Sequence, residues 1–136
     1  MKALCHLGNG ELDAARVEAD ATLQRVEAAP PTAYWTQQST AALCETYQAL
    51  ARRAASETER SEMRVRFRRA VQGMQRFARV FPFGGAHAAY WQGAFAEDGG
   101  RTGAARRRYG EARGIARHFN QPYEEGLAEA ALLRLA

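Results

Sequence analysis

The chain has 136 residues, 46% of them hydrophobic and 25% charged, with a formal net charge of +4. These proportions exclude a disordered chain and supply the core of one domain of ordinary composition. No apolar run approaches the roughly 20 residues needed to span a bilayer, and Gly8, Asn9 and Glu11 interrupt any signal-peptide pattern, so the expectation is a cytoplasmic protein with no membrane partner.

Alanine dominates, and Ile115 is the only isoleucine, which favours helix throughout. Lys2 is the only lysine, so nearly all positive charge is arginine. Cys5 and Cys44 are far apart and belong to no CxxC pattern. They are expected to be small buried thiols with no metal or disulfide role.

In chain order, residues 1–7 read as the last turns of a helix, closed by the turn signal Gly8-Asn9-Gly10. A second helix is expected over 12–28, with Leu12, Ala15, Ala19, Leu23 and Val26 on its buried stripe. These two make a partial first hairpin over 1–29. Pro30-Pro31 ends it and forces an extended link.

The second hairpin covers 32–80. Its first helix, about 32–55, carries two apolar stripes: Leu43, Tyr47, Leu50 and Ala54, and Trp35, Ala42, Thr46 and Ala49. A helix apolar on two sides is packed between neighbours. Ser56-Glu57-Thr58-Glu59 supplies a cap and an acidic first turn. The following helix, about 60–80, has the cleanest stripe in the chain: Met63, Phe67, Ala70, Met74, Phe77 and Phe81.

The third hairpin covers 84–119, with helices expected near 86–96 and 102–119. In the second of these, Ala105, Tyr109, Ala112, Ala116 and Phe119 form the stripe. Gly93 stands in a helix interior, where glycine costs about 1 kcal/mol relative to alanine, so a packing reason is expected for it. Asn120 and Pro122 end the hairpin, Asn because it tolerates a left-handed helix end. A last helix, 122–136, would cover the hairpin with Tyr123, Leu127, Ala131 and Leu135 inward and Glu124, Glu125 and Glu129 outward.

Gly93, Gly100, Ala105, Tyr109 and Ala112 stand in the order and spacing of a tetratricopeptide repeat, and Gly10-Glu11-Leu12-Asp13-Ala14-Ala15 echoes Gly100-Arg101-Thr102-Gly103-Ala104-Ala105. Ala33-Tyr34-Trp35 is echoed by Ala89-Tyr90-Trp91. The chain therefore resembles a tetratricopeptide-like region, although Ala89 stands where that repeat usually has Trp. Its stretches FARVFPFGG and NQPYEEGLAEAALL resemble the C-terminal repeats of large bacterial signalling proteins with cyclase or P-loop ATPase domains. The resemblance implies an all-α right-handed solenoid of about six helices in a single domain, 1–136.

No catalytic constellation is visible. His6, His87 and His118 share no metal-binding step, and the glycine pairs belong to no phosphate loop. Adjacent acids on a helix point apart and make no acid–base pair. The sequence thus reads as a non-enzyme with no cofactor and no metal. The arginines of 64–69 and 106–108 interleave with Glu18, Glu27, Glu62 and Glu111, which argues against a continuous phosphate-binding face.

The functional expectation is a scaffold that binds a protein or peptide, or other domains of a larger parent. Stacked hairpins present a surface lined by their first helices. Gln37, Gln38, Glu45, Gln48, His87, Tyr90 and Gln92 are therefore the candidate contacts. The alternatives are an oligomerisation or spacer element, self-associating through an apolar N-terminal edge at Leu4, Leu7 and Leu12, and a nucleic-acid-binding protein using its arginine-rich helices.

Overall fold

Three turns in the chain are built alike. A computed structural model of the protein, describing residues 2–30 and 32–136, shows Gly10, Gly100 and Asn120 each in the left-handed region, at φ 77°, 74° and 53°. In each turn two amides close back onto the preceding helix. Gly10 N–H donates to Leu7 O at 3.1 Å and Glu11 N–H to His6 O at 2.9 Å. Gly100 and Arg101 donate to Glu97 O and Ala96 O, both at 2.9 Å. Asn120 and Gln121 donate to Arg117 O at 3.2 Å and Ala116 O at 2.8 Å. This is the Schellman pattern, which satisfies carbonyls that a helix end would otherwise leave bare. In every case the next helix begins two residues after the left-handed residue.

Among the described residues the protein is all α-helical: α1 Lys2–Gly8, α2 Leu12–Ala28, α3 Thr36–Arg52, α4 Glu57–Val80, α5 Gly85–Asp98, α6 Thr102–His118 and α7 Pro122–Arg134, with a 3-10 turn at Pro82–Gly84. That is seven α-helices against about six expected, α1 covering the residues read as the last turns of a helix. The chain forms two compact units, Met1–Gly73 and Met74–Ala136, and the boundary falls within α4.

In the first unit, α2 buries Ala15, Ala19 and Leu23, while Leu12 and Val26 are half-buried. Helix α3 is buried on both expected stripes at Ala42, Leu43, Thr46, Tyr47 and Leu50. The hydroxyls of Thr40 and Thr46 donate to Thr36 O and Ala42 O at 2.7 and 2.8 Å, so neither is left unpaired inside.

Helix α3 starts four residues later than expected. Ala33 N–H donates to Pro30 O, and Ala33 O accepts from both the amide and the hydroxyl of Thr36, the latter at 2.7 Å. These bonds fold residues 33–36 into turns and leave Trp35 outside the helix, 53% exposed and off the stripe assigned to it. The expected extended link at Pro30-Pro31 lies partly outside the described residues.

Helix α4 starts earlier than expected, because its cap is complete. Ser56 Oγ accepts from Glu59 N–H at 3.1 Å, and Glu59 Oε2 reaches back to Ala55 N–H at 3.0 Å. This closely follows a capping box and recruits residues 57–59 as the first turn. The buried stripe of α4 is as expected from Met63 through Phe77, with Phe81 half-buried beyond the helix end.

The second unit is built on close approach. A Cβ on Gly93 would lie 2.8 Å from the ring of Tyr109, which supplies the packing reason for that glycine. Tyr109 is fully buried, among the small residues Ala86, Ala89, Ala94, Ala96, Ala105, Ala112 and Ala116 that line this core. Phe77, Phe81 and Phe83 cluster at the entry to α5, with centroids 4.9–5.8 Å apart.

Helix α7 departs from expectation. Its buried residues are Ala128 and Ala131; Tyr123 is 69% exposed, and Leu127 and Leu135 are only half-buried. Phe119, assigned to the stripe of α6, is 40% exposed because the chain has already left the helix there. The surface α7 meets is walled by Ala89 and Ala112.

Candidate interaction site

The residues picked out from sequence fall on two helices in different units. Gln37, Gln38, Glu45 and Gln48 lie within an arc of about 100° on α3. Gln38 and Glu45 are exposed; Gln37 and Gln48 are half-buried. This arc is the outward side of a helix whose remaining circumference is core.

On α5 the picture differs. His87 Nε2 lies 3.1 Å from Glu124 Oε1 on α7, and the His87 side chain is only 17% exposed. Tyr90 packs against the Ala89–Ala112–Ala128 cluster, its ring 5.4 Å from that of Tyr109. Both therefore point to neighbouring helices of their own unit. Gln92 is half-buried.

One cleft was not legible from the sequence. It measures about 470 Å³ and lies between α1, α2 and the entry to α3. Trp35 forms one wall, Ala3 and Val26 supply apolar surface, and Lys2, Arg25 and Glu18 supply charge. The sequence offers no signal for it, because Trp35 also fits an apolar stripe of the expected helix.

Each unit holds a buried tyrosine aimed at a carboxylate that an arginine also holds. Tyr47 O–H donates to Asp20 Oδ1 at 2.6 Å, and Arg66 Nε reaches the same oxygen at 3.0 Å. Tyr109 O–H donates to Glu97 Oε2 at 2.6 Å, and Arg134 holds both oxygens of Glu97 at 3.0 and 2.8 Å. Burial, then the bond to Asp20, pushes the Tyr47 phenol well above its ordinary value. Burial, then Glu97, does the same for Tyr109. A phenol held neutral in this way is a structural donor and is poorly suited to act as a base.

Other titratable groups are similarly committed. Burial pushes the Cys44 thiol up and makes it inert. Cys5, expected to be buried, is exposed on α1. Among the described residues no group of three or more His, Cys, Asp or Glu is placed to hold a metal ion.

Many arginines of the basic stretches are occupied by acids or carbonyls. Arg69 grips Glu27 at 2.9 and 2.6 Å, Arg108 pairs with Glu111 at 2.9 Å, and Arg106 donates to Leu135 O. Arg117 pairs with Glu125 at 2.5 Å and Glu129 at 2.8 Å. At the N-terminal edge Leu7 is buried and Leu4 and Leu12 are half-buried. Among the described residues no helix is long and apolar enough to cross a membrane.

No family model, no curated protein and no solved structure matches this chain.

Proposed function

We propose that the chain is a non-catalytic protein–protein interaction module of the tetratricopeptide-like kind, a regulatory segment of a bacterial signalling protein of ATPase or cyclase type. The observation that carries this reading is the threefold use of one Schellman turn to join helices, at Gly10, Gly100 and Asn120. Helices joined by repeats of one short turn are the building plan of scaffolds that bind partners through an extended surface. The close Gly93–Tyr109 contact supports the same reading. The outward arc of α3 and the neighbouring cleft walled by Trp35 offer exposed polar and aromatic groups for contact, the residue types from which interfaces draw their anchors.

The test is a tagged pull-down from source-cell lysate, with and without nuclease treatment, run in parallel with the Gln38→Ala, Gln48→Ala double variant of α3. A discrete protein retained by the native chain and lost by the variant, at unchanged helicity, supports the reading. Equal retention by both excludes this surface. Loss of all bound material on nuclease treatment would instead move attention to the arginine-rich helices.

A further inference from the structure

We propose that α7 is a detachable latch, fastened mainly by charge over the face of α5 that carries His87 and Tyr90, and that it opens while the α5–α6 hairpin stays folded. The apolar holding of α7 is modest: its fully buried residues are two alanines, Ala128 and Ala131, Leu127, Leu132 and Leu135 are only half-buried, and Leu133 and Tyr123 are 76% and 69% exposed. Its polar holding is extensive and runs along its whole length. At the start, Glu124 meets His87 at 3.1 Å. In the middle, Glu125 and Glu129 are both held by Arg117. At the end, Arg134 grips Glu97, and Arg106 donates to Leu135 O.

Apart from the shielded His87–Glu124 contact, these pairs lie close to water, where salt screens them and their net contribution is small. An element with few buried apolar contacts and solvent-exposed fastenings belongs to the low-stability end of a fold, where local opening occurs. Opening would uncover Tyr90 and Ile115 beside Ala89 and Ala112, an apolar face that now takes Ala128. That the uncovered face serves a partner rests on the interaction-module reading; the opening itself does not.

Native-state hydrogen exchange on the full chain, read by mass spectrometry, decides the matter. Amides of α7 are expected to exchange faster than those of α6 in about 0.05 M salt, and about tenfold faster again in about 1 M salt while α6 changes little. Arg117→Gln should speed α7 alone, whereas Arg108→Gln, whose pair with Glu111 stays on α6, should not. A single common rate for α5, α6 and α7 at both salt concentrations would overturn the latch. So would a salt effect of equal size on α6 and α7.

Discussion

The two units answer the same problem with different side chains. Each buries one tyrosine whose hydroxyl meets a carboxylate shared with an arginine: Tyr47, Asp20 and Arg66 in the first, Tyr109, Glu97 and Arg134 in the second. Around Tyr47 the first unit buries large residues, among them Leu23, Leu43, Met63 and Phe67. The core of the second unit between α5 and α6 is alanine and glycine, and the ring of Tyr109 lies directly on the backbone at Gly93. A core of large residues fills space by bulk; a core of small ones fills it by close approach of the helices. The second solution gives dense packing, but it concentrates the apolar contact on a single ring and leaves little room for adjustment.

That contrast can be broken most sharply at the ring itself. Tyr109→Ala should cost about 4 kcal/mol, because the alanines around it have no reach to refill the space. Chemical denaturation should show the loss, and Leu43→Ala in the first unit, at about 3 kcal/mol, gives the comparison. Equal losses would mean that the small-residue core relaxes as well as the larger one does.

Gly93→Ala is the complementary insertion. The added methyl meets the Tyr109 ring at 2.8 Å. The expected net cost is about 1–2 kcal/mol, overpacking partly offset by better helix propensity. A rise in melting temperature would show that the contact yields freely.

Of similar size are Tyr47→Phe and Tyr109→Phe, each about 1.5 kcal/mol for a hydrogen bond to a charged acceptor. The phenols are raised in the folded state, so the native protein holds these protons after the unfolded chain has released them. Stability is therefore full below about pH 10 and falls as pH rises above it. A melting-temperature profile at alkaline pH should flatten in the double Phe variant; an unchanged slope would remove the tyrosines as its cause. The smallest effect belongs to Ser56→Ala, about 1 kcal/mol, from loss of the α4 cap.

What was legible in the sequence is local. Helix α2 matches its expected span, α6 ends one residue early, and Asn120 adopts the left-handed conformation expected of it. Gly10 and Gly100 could be matched as an echo because glycine advertises the turn. Asn120 makes the same bonds without belonging to that echo, since the turn is specified by backbone conformation and two residue types satisfy it. What was illegible depends on partners distant in the chain. Of the inward face expected for α7, Tyr123, Leu127, Ala131 and Leu135, only Ala131 is buried, because a surface walled by Ala89 and Ala112 admits small residues such as Ala128. Glu124, Glu125 and Glu129 looked like a solvated face, but His87 and Arg117 turn them toward other helices, at separations no periodicity encodes. Trp35 fitted an apolar stripe and lies outside the helix because Ala33 O is claimed by Thr36.

The three Schellman turns have a kinetic consequence. Each closes with hydrogen bonds spanning no more than five residues, so the entropy of bringing two helices side by side is met locally. Contacts of such short sequence separation form early and fast. Each helix pair can then nucleate without waiting for another, and a lesion in one turn should slow the appearance of its own pair while the others form at their usual rate.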